Sequence, residues 1–384
     1  MFKDTLSFIQ QCYPNLDHIP LHAPVLGETE KQALLAMLDS GFVSSVGQSV
    51  IDFELALCQY TGIRHAVALV NGTAALQLSL LMAGVQIGDE VITQPLSFIA
   101  TANAISHCGA TPVFIDISKE SLGLSAVALE HWLQNNTKQT SRGLINTATG
   151  RRIAACVPMH TFGLPAQMPE LMAICQHYRL ALVEDAAESL GSWIGDKHSG
   201  SFGLCAAMSF NGNKIITAGG GGALLTNDDV LAKKARHLST TAKIRHAWRS
   251  EHDTAAFNWR MPNINAALAC AQMSRLSQIL KDKRSLANKY KEYFDGSSNC
   301  HNMQFVDQPN YSKSNFWLNA VRCESYKQRE SFLSLAHTSN VSCRPPWQLL
   351  NRSIPYKYSQ SGPLPVAEKE VDILLNIPSS AGWG

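Results

Sequence analysis

The chain has 384 residues, of which 45% are apolar and only 16% charged, with a net charge of +2. Globular domains usually carry about 25% charged residues, so this composition predicts extensive buried surface, some of it between subunits. The length points to two domains around one larger core, and the absence of a basic cluster excludes nucleic acid as a partner.

Residues 1–27 read as an arm lying across another part of the fold. Glu28–Ser40 carries a helical stripe of Ala33, Leu34, Met37 and Leu38, and Gly41 stops it. A Gly/Ser loop, GFVSSVGQS, follows. Alternation then begins: strand 66–70, the tight turn Asn71-Gly72-Thr73, helix 74–82, strand 90–93, helix 98–107, strand 112–116 and helix 126–134. The polar stretch 135–152 interrupts it as an exposed hairpin or loop. Strand 153–158, helix 167–177, strands 180–184, 206–210 and 222–226, and helix 228–238 complete the series. Strands apolar throughout and separated by helices predict an α/β fold with a mostly parallel sheet covered on both faces. The segment 240–265 is rich in His, Arg and Trp without a clear period. Two amphipathic helices, 264–280 and 282–294, lead into short strands and Pro-rich loops. The expected division is a large domain over 1–245 and a smaller α+β domain over 246–384.

Ten cysteines are scattered singly, without metal-ligand or Cys-x-x-Cys spacing, so no metal site or redox motif is indicated. The N-terminus lacks the apolar stretch of a signal peptide, and no run of about 18 apolar residues would span a membrane. A reducing cytoplasm and no membrane partner are the expectations.

The chemistry gathers around SFGLCAAMSFNGNKIITAGGGG, whose one lysine, Lys214, has small and apolar flanks. Such surroundings favour a neutral amine, the nucleophile that forms a Schiff base with a carbonyl such as that of pyridoxal phosphate. The alternative is a surface lysine in a Gly-rich turn. The strand–turn–helix junction at Gly72 and Thr73 offers backbone donors to a phosphate, with Ser209 as a second donor near Lys214. Asp185, at the end of an apolar strand 29 residues before Lys214, is the carboxylate for a pyridinium nitrogen. A solvated strand end is the competing reading, because the neighbouring acids Glu184 and Asp185 are costly to bury without partners. Phe98 offers a ring face, or else belongs to the core. Gly212-Asn213-Lys214 lacks P-loop spacing, which excludes a nucleotide-binding ATPase of that type.

NGTAAL (71–76), GDEVITQPLSFIATANAI (88–105), VEDAAESLGS (183–192), SFNGNKIITAGGGG (209–222) and FNWRMPNINAAL (257–268) occur in order. Together they resemble the DegT/StrS family of pyridoxal-phosphate nucleotide-sugar aminotransferases, with a weaker echo in RPPW (344–347) and LLNIPSS (374–380). PLHAPVLGETE, GFVSSVG and TGRRIAACVPMHTFG look most like the LegC-type branch, associated with bacillosamine- and legionaminic-type sugars. The resemblance implies fold type I, with Lys214 holding the cofactor and moving a proton to the sugar C4. It also implies Asp185 on the pyridinium, Phe98 stacked on the ring, and Gly72, Thr73 and Ser209 on the phosphate. Asn258 would reach the partner's cofactor phosphate, making a homodimer with shared sites. Position 188 holds Gln or His in much of the family and is Glu188 here, beside the cofactor's phenolic oxygen. His160 and Ser44-Ser45 match positions near the sugar. The implied reaction moves an amino group, with glutamate the expected donor, to C4 of a 4-keto-6-deoxy nucleotide sugar of the UDP-linked N-acetyl type for surface polysaccharide. Two alternatives are a sugar 3-dehydratase, whose relatives carry His where Lys214 stands, and a catalytically silent homologue.

Overall fold

The computed structural model describes residues 2–296, 300 and 302–382. Its centre is a seven-stranded sheet in the order His65–Leu69, Gly222–Thr226, Cys205–Ser209, Ala181–Asp185, Ile153–Val157, Glu90–Thr93, Thr111–Phe114. All neighbours pair in parallel except Gly222–Thr226, which runs antiparallel to both of its own. The expected α/β architecture is the observed one. Its strands are apolar on both faces because both are covered. Val67, Leu69, Ala207 and Leu224 pack with helix Gly72–Met82, while Ala66, Ala68, Met208 and Leu225 pack with Phe53, Leu57 and Leu276 from the opposite side. Each large apolar side chain removed from water contributes roughly 1.5–3 kcal/mol.

Three features depart from the sequence reading. Helix Gln48–Thr61 follows the Gly/Ser loop in a stretch the sequence reading leaves unassigned; Val50, Phe53 and Leu57 face the core at helical spacing and Gly62, at φ 72°, ends it. The two helices around 281 are one, Asn263–Gly296, since no Gly or Pro interrupts the turn there. Lys283, midway along it, is fully buried and donates to the carbonyls of Trp317 (2.7 Å) and Ser379 (2.5 Å). The N-terminal arm contains a helix, Lys3–Gln11, whose Leu6 and Ile9 share a core with Tyr290, Phe294 and Phe332. The arm therefore straps onto the C-terminal part, whose own sheet is antiparallel: Gln304–Phe305, Asn319–Arg322, Leu374–Ile377. The polar insertion is a hairpin of Thr137–Thr140 with Gly143–Asn146. Among the described residues, no helix is long and apolar enough to cross a membrane.

Candidate active site

Strands Ala181–Asp185 and Cys205–Ser209 lie side by side with Ala207 opposite Asp185. Asp185 and Ser209 thus emerge together at the C-terminal edge, where open α/β sheets present functional groups. The chain turns back through the loop carrying Lys214 and re-enters the sheet at Gly222, which pairs with both Ser209 and Leu69. That register brings the start of helix Gly72–Met82 to the same edge. A Cβ at Gly222 would sit 2.3 Å from the Asn71 carbonyl oxygen, and one at Gly72 would sit 2.8 Å from the Ser209 Cβ. Only glycine permits so close an approach.

A cavity of about 300 Å³ opens at this junction, lined by Gly72, Thr73, Phe98, Asp185, Glu188, Ser209 and Lys214. Asn258 does not line it; it is exposed, on the segment that bridges Thr240. His160 does not line it either. Its ring is fully buried, with Nδ1 accepting from the Ala166 amide (3.1 Å) and Nε2 facing Glu184 (3.1 Å). The expectation that His160 meets the sugar is therefore wrong: the ring has no free edge. Ser44 and Ser45 lie outside this cavity too, and the Ser44 carbonyl accepts from the Asn263 amide.

The two adjacent acids are both buried, and both are partnered. Alternation along the strand sends them to opposite faces. Glu184 accepts from the amides of Gly200, Phe202 and Gly203, each at 2.7 Å. Asp185 accepts from the Thr101 hydroxyl at 2.7 Å and the Ala187 amide at 3.2 Å. Burial pushes the Asp185 carboxyl up, and these two donors and the charge of Lys214 pull it back. The solvated strand end is thereby excluded.

Lys214 is less apolar in its surroundings than its flanks predict. Its Nζ lies 3.2 Å from Glu188 Oε1 and 4.1 Å from the centroid of the Trp317 ring. Trp317 is held there by donating from Nε1 to the Asn213 carbonyl at 2.6 Å. Glu188 is buried, and its Oε2 accepts from the Phe162 amide at 2.9 Å. Burial, opposed by the Lys214 charge, pushes this carboxyl up to about 7. A raised carboxyl contributes its full stability below the unfolded value and loses it as pH rises through the folded one. Urea unfolding of the cofactor-free chain is therefore expected to show the wild type losing up to about 3 kcal/mol relative to Glu188→Gln between pH 4 and pH 9. A flat difference would show that Glu188 ionises as an ordinary surface carboxylate does.

Among the lining residues that sequence reading gave no role are Trp317, Arg344 and Trp347. All come from the C-terminal part, and Trp347 faces Phe98 with ring centroids 6.3 Å apart. RPPW stands in the sequence only as a weaker echo of the family resemblance, and Trp317 carries no local signal.

The residues fit pyridoxal phosphate. Asn71 Oδ1 caps the Ala74 amide (2.8 Å), leaving the amides of Gly72 and Thr73 without intrahelical acceptors, beside the Thr73 and Ser209 hydroxyls. This arrangement can take a phosphate, and a buried carboxylate and a lysine amine line the same cavity.

The profile of the DegT/DnrJ/EryC1/StrS aminotransferase family matches residues 24–383. The GDP-perosamine synthase of Caulobacter vibrioides is 33% identical over 375 residues, covering 96% of this chain and 95% of that protein. EpsN of Bacillus subtilis, provisionally named a pyridoxal phosphate-dependent aminotransferase, is 32% identical over 336 residues, covering 87% of this chain and 82% of its own. Among solved structures, a DegT DnrJ EryC1 StrS aminotransferase from Brucella abortus superposes with a TM-score of 0.82 at 26% identity, over 91% of this chain and 90% of that one. The chain belongs to the DegT/DnrJ/EryC1/StrS aminotransferase family and is a pyridoxal-phosphate-dependent aminotransferase.

Proposed function

We propose that the chain transfers an amino group, with glutamate as donor, to C4 of a 4-keto-6-deoxy hexose carried on a nucleoside diphosphate, for bacterial surface polysaccharide. The observation that carries this reading is the meeting of Lys214 and Asp185 in one cavity above the cradle of Gly72, Thr73 and Ser209. When bound, pyridoxal phosphate supplies the electron sink for deprotonating a carbon next to nitrogen. Asp185 holds the proton on the ring nitrogen. Gly72, Thr73 and Ser209 hold the phosphate, and Phe98 covers the ring. Lys214 Nζ would hold the cofactor and would carry the proton to and from the reacting carbon. A lysine here, in place of histidine, favours transamination over dehydration. Residues 1–245 supply this machinery, and 246–384 close the cavity with Trp317, Arg344 and Trp347.

The motif wording favours a UDP-linked N-acetyl sugar, whereas the name of the Caulobacter relative favours a GDP-linked one. Assay of 4-keto-6-deoxy sugars on both nucleotides, with glutamate, decides between them. Turnover of neither class by cofactor-loaded protein would overturn the reading.

The working unit of this proposal is a cytoplasmic homodimer. Leu35, Leu38, Phe42 and Val46, along helix Glu28–Ser40 and the loop after it, are exposed, Phe42 at 65% and Val46 at 77%. Exposed apolar side chains on one helix and its following loop suit contact with a second copy of the chain. Exposed Asn258 lies on a segment pinned by Arg260, which pairs with buried Glu54. Asn258→Ala is expected to weaken coenzyme binding roughly 10-fold, the loss of a hydrogen bond to a charged group. Mixing it with Lys214→Ala should restore activity, because a mixed dimer holds one site with both residues. No gain despite proven subunit exchange and a clear Asn258→Ala defect would show that each site is built from one chain.

A further inference from the structure

We infer that Arg344 binds the carboxylate of the amino-acid donor, and so selects the donor. The inference rests on the aminotransferase reading above. Other half-buried arginines are engaged: Arg260 pairs with Glu54, Arg275 with Glu30 and Arg322 with Glu370, and Arg284 donates to the carbonyls of Ser314 and Gly191. The Arg344 guanidinium makes no ion pair or hydrogen bond among the described residues, although it lines the cavity that holds Lys214. Its backbone is fixed, exchanging both hydrogen bonds with Asn376 (3.1 and 2.9 Å) on the strand Leu374–Ile377. Burial disfavours its charge, and the carboxylate that opposes this is Glu188. Glu188 is bonded to Lys214, and both line the same cavity as Arg344. A partly desolvated guanidinium on a rigid strand is a preorganised fork for a planar anion, most naturally a carboxylate held through two parallel hydrogen bonds.

Two anions reach this enzyme: the donor's carboxylate and the diphosphate of the sugar nucleotide. The donor's α-carboxylate is attached to the same carbon as the amine that reacts, so it must lie close to Lys214. The diphosphate hangs from C1, across the sugar ring from C4, and extends toward the mouth. A cation in the cavity of Lys214 and Glu188 therefore matches the carboxylate. Glu188 also explains why the fork stays available. It lies near enough to support the charge of Arg344, but spends its own oxygens on Lys214 and Phe162.

The test is calorimetric titration of the cofactor-loaded protein with glutarate, which presents the donor's carboxylates without its amine, and separately with GDP and UDP. Arg344→Gln is expected to weaken glutarate binding roughly 10- to 100-fold, the loss of charge-assisted hydrogen bonds, and to change nucleotide binding less than about 3-fold. Arg344→Lys, which keeps the charge and loses the fork, should fall between. Cofactor stoichiometry and circular dichroism equal to wild type establish that either variant is folded. In steady state the KM for glutamate should rise while the KM for the keto sugar holds. Glutarate affinity unchanged in both variants, no glutarate binding to the wild type, or a loss confined to GDP and UDP each overturns the assignment. A loaded wild type that accepts no amino group from any amino acid instead overturns the reading on which it rests.

Discussion

Lys214→Ala is expected to fold, to bind pyridoxal phosphate only reversibly, and to lose at least ~10⁴-fold in turnover, since one side chain serves as both attachment point and proton carrier. The surroundings of Lys214 explain why nothing substitutes for it. The other titratable groups in its cavity are committed: Asp185 to Thr101 and Ala187, and Glu188 to Phe162. The remaining cation, Arg344, is a guanidinium that does not give up its proton at working pH. Removing the amine also removes the charge that draws Glu188 down, so that carboxyl should rise further and stand protonated at neutral pH. The variant thus loses a buried cation without leaving a buried anion, and its fold should survive. Borohydride reduction of the wild type, followed by peptide mapping, should find the pyridoxyl label on Lys214. Label on another lysine, or turnover by Lys214→Ala above a hundredth of wild type, would refute the role.

Much of this site was legible because its residues sit at sheet ends that apolar runs mark clearly. Asp185 closes one such run and Ser209 another, and Gly222, the last of four glycines after Lys214, packs against the backbone of Asn71. What the sequence hid was pairing across long separations. Nothing local says that Glu184 finds its partners at Gly200, Phe202 and Gly203, or that these turn a costly buried acid into a satisfied one. His160 was misread for the same reason, because its partner is Glu184 and the pair is sealed inside. Lys283 lies in a stretch that the sequence marks only as an amphipathic helix, and it is a buried staple to the carbonyls of Trp317 and Ser379. The missed helix Gln48–Thr61 is different. Its apolar spacing is present in the sequence, with Gly62 as its stop, directly after the Gly/Ser loop. Trp317 and Arg344 reach the cavity only because the C-terminal sheet folds back over it, a matter of tertiary topology.

Asp185→Asn should separate function from stability more cleanly than any other change in this cavity. The substitution keeps the shape of the side chain and removes its charge. Because burial pushes the native carboxyl up, the folded chain gains little from that charge when no cofactor is present. The variant should therefore unfold at a urea concentration equal to or above that of wild type at pH 8. The amide oxygen can still accept from the Ala187 amide and the amide nitrogen can donate to the Thr101 hydroxyl, so the strand end should keep its geometry. With cofactor the balance reverses, since a protonated ring nitrogen facing a neutral amide is a buried charge without its partner. Breaking such a pair costs about 3–5 kcal/mol, so cofactor affinity and turnover should together fall roughly 10²- to 10³-fold. A second readout follows from Glu188. The charge of Asp185 is one of the influences that raises that carboxyl, so removing it should move Glu188 down from about 7. Any limb of the pH profile that Glu188 governs should then shift to lower pH in Asp185→Asn and vanish in Glu188→Gln. A variant that loads cofactor and turns over as the wild type does, with an unshifted profile, would leave Asp185 as no more than the capped end of its strand.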